Sequence, residues 1–253
     1  MYTISLIGTG NVAQHLFDAF LDAPQVKIVQ VYGRNPEKLK RFNGHVETCS
    51  NIQEVKAADV HIIAINDNAI FQVAESLSTK NGIVVHTSGA MSMNCIPTPN
   101  KGVFYPLQTF SMGRPISFKD IPVCLEAAQK TSLDLLQKLA GQISQSVYQV
   151  NSEQRKKLHL AAVFVNNFTN HLYHIGEEIC REEGLPFSLL QPLIQETAQK
   201  IQQMSPMEAQ TGPAKRGDTE SIKNHLRLLK NKKHAELYTI LSQAITENYE
   251  EKL

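Results

Sequence analysis

Neither sign of charge predominates in this chain of 253 residues, where 25 Lys and Arg stand against 24 Asp and Glu for a net charge of +1. Without a basic excess there is no electrostatic case for nucleic acid or an anionic membrane as the main partner. Cysteine is scarce: Cys49, Cys95, Cys124 and Cys180 lie far apart and form no CxxC spacing. That argues against a disulfide framework or a zinc site; reduced thiols in a cytoplasmic setting and no bound metal are the expectation. Long apolar runs are missing too, and a run such as Ile62–Ile65 falls far short of the roughly 20 residues that span a bilayer. The N-terminus shows no basic stretch ahead of an apolar segment, because a glycine turn arrives first. No internal repeat or low-complexity segment interrupts the chain. What remains is an ordinary soluble globular composition, 42% hydrophobic and 19% charged, long enough for one large domain or two modest ones.

The first half alternates short Val- and Ile-rich runs with helical patterns. Thr3–Ile7, Lys27–Tyr32, Val60–Ile65, Ile83–His86 and Val103–Tyr105 read as strands, with Ile121–Leu125 one further candidate. Asn11–Leu21, Pro36–Phe42, Ala69–Leu77 and Thr131–Ile143 read as helices. Strands alternating with helices imply right-handed crossovers and a parallel sheet covered on both faces. After about residue 150 the texture turns to long helices: a continuous pattern over Glu153–Glu183 ending at Gly184-Leu185-Pro186, then Ser188–Met204, which Pro192 should start or kink, Thr219–Leu229 and Ala235–Glu250. The expected fold is α/β, a Rossmann-type doubly wound, mainly parallel sheet over residues 1–150, followed by an all-helical domain over 151–253.

Gly8-Thr9-Gly10-Asn11-Val12-Ala13 directly follows the first strand and opens the first helix, the context that a dinucleotide fingerprint requires. Gly8 permits the tight turn, Gly10 lets backbone approach a pyrophosphate, and Ala13 allows close helix–sheet packing, with the helix N-terminus supplying N–H donors. Folds that bind NAD usually end the second strand in Asp or Glu, which holds the ribose 2′-OH. Here Gly33-Arg34-Asn35 occupies that tip without a carboxylate. A guanidinium can bond a 2′-phosphate that an acid would repel, so NADP is the expected cofactor. The ends of later strands should complete the site, with Asn66, Thr87 and Ser88 offering neutral hydrogen bonds. Asp67 either caps the following helix or reaches the ribose, and His86 fits a satisfied core histidine better than a catalytic one.

"IGTGNVA", "ADVHIIAINDNAI", "VVHTSGAMS", "YPLQTFS", "LHLAAVFVNNF" and "TGPAKRGD" occur in this order. Together they resemble a two-domain bacterial family in which a Rossmann-like domain precedes a helical C-terminal domain of unknown function. The resemblance spans nearly the whole chain. It implies an NADP oxidoreductase, related to pyrroline-5-carboxylate reductase, ketopantoate reductase and deazaflavin-dependent NADP oxidoreductase, and it implies a homodimer joined through the helical half. The chain departs from that family at Tyr105, where relatives often carry His before the Pro.

Reducing a carbonyl or imine takes a hydride donor and a group that protonates the acceptor atom. His159, Val163, Asn166, Asn167, Asn170 and His174 recur at helical spacings along the long helix, and His159 and Asn167 would lie about 12 Å apart along its axis. Ketopantoate reductases place a catalytic Lys and substrate-binding Asn residues on the corresponding helix, so the resemblance puts His159 in the Lys position. His159 is then the candidate proton donor, Asn167 orients substrate with Asn166, and the nicotinamide lies near Ser88, which also contacts substrate. The same stripe fits a polar face at a dimer interface or beneath the first domain. Lys215 and Arg216, on the loop between Gly212-Pro213 and Gly217, suit a substrate carboxylate or a cofactor phosphate, or simply form a solvated basic turn. "KNKKH" at 230–234 reads as a solvated turn. The reading is an NADPH-dependent reductase acting on a small carbonyl, imine or deazaflavin. A cofactor-binding sensor without turnover is the alternative, and Arg34 with the helical second domain weighs against a methyltransferase.

Overall fold

The computed structural model describes residues 1–250 of the chain. It divides into two compact units, Met1–Asn167 and Phe168–Leu253. In the first unit, β1 (Tyr2–Ile7), α1 (Asn11–Leu21), β2 (Val26–Tyr32), α2 (Pro36–Leu39), β3 (Glu47–Cys49), β4 (Val60–Ile63), α3 (Ile70–Ser76), β5 (Ile83–His86), β6 (Lys101–Pro106), β7 (Val123–Ala127), α4 (Lys130–Ala140) and β8 (Val147–Gln149) follow in order. The eight strands form one sheet in the order β3-β2-β1-β4-β5-β6-β7-β8. Every neighbouring pair is parallel except β6 and β7. The expected doubly wound sheet is present. The chain reverses direction across the sheet at β1, between β2 and β4, so a crevice must open beyond the C-terminal ends of β1 and β4.

The strands keep a period of two that feeds two cores. Ile4, Leu6, Val60, Ile62, Ile83 and Val85 face one core, and Ile7, Ile63 and Val84 the other. Helix α1 turns Ala13, Leu16, Phe17 and Phe20 onto the first core, the i, i+3, i+4, i+7 stripe of an amphipathic helix. Phe20 is fully buried against Phe104, a side chain whose truncation to Ala costs about 3–5 kcal/mol. The other core is closed by Ile70, Ala74 and Leu77 around α3.

Two strands escape the sequence pattern. β3 and β8 are three residues each and sit at the two edges of the sheet, where neither burial nor alternation is sustained long enough to show. β7 begins two residues later than expected, because Ile121 closes a turn onto Phe118 O before the strand starts.

The long helical stretch is not one continuous α-helix. α5 (Ser152–Ala162) starts from a capping box of Asn151 and Gln154. A π-helical segment, Val163–Phe168, then leads into α6 (Thr169–Glu182). The stretch ends as expected, with Gly184 at φ +69° and Leu185 N–H bonded to Cys180 O at 2.9 Å. The texture changes where β8 ends, but the boundary between compact units falls after Asn167, inside the π segment.

In the second unit, a short 3₁₀ turn at Phe187–Leu190 precedes α7 (Gln191–Lys200), with Pro192 in its first turn. α8 (Pro206–Ala209), α9 (Thr219–Leu228) and α10 (Lys232–Glu250) follow. Asp218 is the N-cap of α9, accepting Ser221 N–H at 3.0 Å. Among the described residues, no helix is long and apolar enough to cross a membrane, no group of three or more His, Cys, Asp and Glu is placed to hold a metal ion, and the four cysteines are free.

Candidate functional site

The crevice at the β1–β4 switch is a cleft of about 1180 Å³, lined by Gly8 to Val12, Gly33 to Asn35, Lys38, Asn66, Asn68, Gln72 and Thr87 among others. Its floor is the turn from β1 into α1. Gly8 has φ +132°, and a Cβ there would lie 2.1 Å from Ala64 O; only glycine fits. Above Gly10 a Cβ would meet nothing within 4 Å. Gly10 also caps α1 without any side-chain hydrogen bond. The first N–H groups of α1 therefore face open space at the positive end of the helix dipole, ready for an anion. Ala13 is fully buried in the core and stays out of the cleft, which suits its expected part in helix–sheet packing.

At the end of β2, Gly33 lets the chain pass Thr9, whose Cγ2 would be 2.4 Å from an added Cβ. Asn35 caps α2 by accepting Glu37 N–H at 2.9 Å. Arg34 and Lys38, on either side of that cap, both line the cleft. Neither cation has an ion-pair partner among the described residues, and the nearby Glu37 carboxylate is taken by Lys40 at 2.7 Å. Two uncommitted cations beside no free carboxylate fit a ribose phosphate far better than a bare ribose diol. Lys38 went unnoticed in the sequence. Its signal was present: four positions after Arg34, in a helix whose start Asn35-Pro36 announces.

Asn66 and Thr87 line the cleft, but Asp67 does not. It is exposed at the start of a 3₁₀ turn and caps neither that turn nor α3 by its side chain; its neighbour Asn68 lines the cleft instead. Ser88 lies just past the cleft wall. Its hydroxyl accepts N–H bonds from Ala90 and Met91, both at 3.1 Å, and so shapes the turn after β5. His86 is fully buried beneath the same turn. Its Nδ1 accepts Ser88 N–H at 3.1 Å while Nε2 lies 3.3 Å from Ser92 O. Burial, and then the Arg155 charge, push its pKa down to about 4, so the imidazole stays neutral, with its proton on Nε2. It is a core histidine.

Beneath this turn lies an arginine that no motif announced. Arg155 of α5 is wholly buried. It bonds Glu126 Oε2 at 2.6 Å through Nη1, Met91 O at 2.5 Å through Nη2 and Ser88 O at 3.2 Å through Nε. Glu126 also accepts from Ser152 at 2.7 Å. A buried charge needs such complete pairing. The network ties α5 and β7 to the turn that carries Ser88 and Gly89.

It also places His159, one turn after Arg155 on α5. The His159 ring sits against Gly89, where an added Cβ would lie 2.7 Å from Nδ1, and the Tyr105 hydroxyl is 3.3 Å from that nitrogen. His159 thus stands two residues along the turn from cleft-lining Thr87. The rest of the expected stripe is out of phase. Asn166 and Asn167 fall in the π segment, whose i→i+5 bonding turns the chain less per residue than an α-helix does. The α-helical spacing that put them on the His159 face therefore does not hold, and both are exposed. Lys215 belongs to the second unit, where its ammonium bonds Gln210 O at 2.8 Å and covers the Tyr249 ring at 4.9 Å. That commits it to holding its own loop. Arg216 beside it is exposed.

Residues 3–89 match a family described as "NADP oxidoreductase coenzyme F420-dependent", and residues 121–245 match "Domain of unknown function (DUF2520)". A candidate NADP oxidoreductase from Bacteroides fragilis is 40% identical, with 97% of this chain and 98% of that one covered and a TM-score of 0.90. A protein from Thermotoga maritima shares 24% identity over 98% of this chain and 99% of its own, at a TM-score of 0.76. At 14% identity, a reductive aminase from Aspergillus terreus, solved with NADPH and ethyl levulinate, shares the fold, with a TM-score of 0.70 over 100% of this chain and 95% of its own. No curated protein matches the chain.

Proposed function

The chain belongs to the family of NADP oxidoreductases that the Bacteroides fragilis relative represents, and on that premise we propose that it is a reductase of a small carbonyl or imine, with His159 as the proton donor. The single observation that carries this reading is the joining of two things beyond the C-terminal ends of the central strands. One is a cleft with an uncapped helix N-terminus and two free cations; the other is an imidazole seated on the turn beside it. Gly8 to Val12 hold the pyrophosphate, Arg34 and Lys38 the 2′-phosphate, and Asn66 and Thr87 the remaining polar edges. Bound NADPH supplies a hydride. His159 supplies the proton that completes reduction of the C=O or C=N bond. A deazaflavin is the third acceptor class, supported by the description of the family matched at residues 3–89.

The test is NADPH oxidation followed at 340 nm against 2-oxo acids, cyclic imines and a deazaflavin. Binding of NADPH without turnover on any of them would leave the sensor reading in its place. We also propose that the protein is a homodimer. In the second unit Ala214 is the one buried hydrophobic residue among those described, while Leu172, Leu189, Leu193, Leu228 and Ile240 are exposed. An apolar surface on this scale rarely stays uncovered, and a second copy supplies a matching one. Sedimentation at micromolar concentration should give twice the chain mass; a monomer refutes the assembly.

A further inference from the structure

His159 and Tyr105 form a pair that the cofactor cleft does not explain. Their rings meet edge to face at 77°, with centroids 6.3 Å apart, and the Tyr105 hydroxyl is 3.3 Å from His159 Nδ1. Neither the hydroxyl nor the imidazole has another hydrogen-bond partner among the described residues. Tyr105 comes from β6, His159 from α5, and the surface both rest on comes from the turn after β5. There an added Cβ on Gly89 would come within 2.7 Å of His159 Nδ1, 2.8 Å of its Cγ and 2.9 Å of Tyr105 Cζ. Gly89 is not among the glycines of positive φ. Its missing side chain serves to make room for the two rings, since the backbone itself would accept another residue.

We propose that Tyr105 is a positioning residue, whose phenol oxygen accepts a hydrogen bond from Nδ1–H of His159 and leaves Nε2 as the ring nitrogen that exchanges a proton with substrate. This rests on the reading of His159 as the proton donor. In the proposed step the imidazolium gives its Nε2 proton to the oxygen or nitrogen of the acceptor as the neighbouring carbon takes the hydride from NADPH. The neutral ring that remains keeps its proton on Nδ1, held by Tyr105, and water reprotonates Nε2. The phenol suits this task because it stays uncharged: burial, and then the proximity of Cys124, push its pKa up to about 12. A carboxylate at the same place would hold the imidazolium proton by charge as well as by hydrogen bonding. A neutral oxygen fixes the orientation of the ring and its tautomer without trapping the proton.

The deciding measurement needs no substrate. Nitrogen-15 NMR of histidine-labelled full-length protein, with His159→Asn used to assign the ring, reads which nitrogen carries the proton above the titration. Wild type should show the Nδ1–H tautomer. Tyr105→Phe keeps the ring and its packing but removes the acceptor, and should move the population toward Nε2–H, the form free histidine prefers. Gly89→Ala, which pushes the imidazole off its seat, should do the same. A wild-type Nε2–H ring, or an Nδ1–H ring unchanged in Tyr105→Phe, overturns the proposal while leaving the NADPH reading intact. With the best acceptor of the panel above, Tyr105→Phe should lower kcat roughly tenfold, as loss of one orienting contact does, with KM and NADPH affinity held. An unchanged kcat would equally overturn it. Normal turnover by His159→Asn would instead remove the proton-donor assignment, whatever the tautomer.

Discussion

Arg155→Met tests the part of the site that the sequence did not announce. The substitution keeps a long side chain on α5 but deletes the guanidinium. It leaves Glu126, 16% exposed at its side chain, with Ser152 as its remaining bonded partner, and it strips the carbonyls of Ser88 and Met91 of their charged donor. Breaking a buried pair by removing one partner costs about 3–5 kcal/mol, because the other charge remains desolvated. Each charge-assisted bond on its own is worth about 1.5–3 kcal/mol, so the bonds here cannot simply be summed. The expected loss is therefore about 3–5 kcal/mol, read as a urea midpoint lower by roughly 1–2 M. Arg155→Met combined with Glu126→Leu should recover much of that loss, since an apolar replacement of both partners removes the stranded charge. NADPH affinity should fall less than stability, because Arg34 and Lys38, the proposed 2′-phosphate ligands, follow β2 and take no part in the Arg155 network. A single variant within about 1 kcal/mol of wild type would refute the reasoning, as would a double variant less stable than the single one.

Arg34→Ala and Lys38→Ala should each weaken NADPH by about 1–3 kcal/mol while barely touching NADH, the scale of a charge-assisted hydrogen bond; calorimetry giving equal losses for both cofactors would refute the 2′-phosphate assignment. Gly8→Ala forces a Cβ to within 2.1 Å of Ala64 O at φ +132°, so dinucleotide binding should be lost even where the circular dichroism spectrum is kept, and retained binding would contradict the floor of the cleft. His86 has its pKa pushed down to about 4 in the fold, whereas an unfolded histidine titrates near 6.5. The unfolded chain thus binds the proton first. The contribution of His86 is complete above pH 6.5 and is lost as pH falls toward 4, about 2 kcal/mol of it between pH 7 and pH 5. Buried His61, lowered mainly by desolvation, adds in the same direction. Urea unfolding of wild type and His86→Gln at the two pH values checks this, and parallel pH dependence in both would refute it.

Several features were legible from local pattern alone. Short Val- and Ile-rich runs became β1, β2, β4, β5 and β6, because these strands are largely buried and their own residues carry the signal. The Gly8–Ala13 turn was legible because backbone geometry restricts which residues can occupy it, and Arg34 because its neighbours in sequence are also its neighbours in the cleft. Short edge strands and the π segment were not. β3 and β8 exist through pairing with one neighbour each, and the extra residue of a π turn leaves no mark in composition. Nor does a lone Arg in a polar first turn of a helix reveal that it will be buried; only the approach of β7 and the turn after β5 encloses Arg155. The same holds for Tyr105, Gly89 and His159, 16 and 54 residues from Tyr105 respectively. Local sequence determined which elements form and which turn can cradle a phosphate, since those depend on forces acting over a few residues. Tertiary structure decided which side chains share the point beside that cradle, since sheet order and helix docking alone bring together residues from three separate elements.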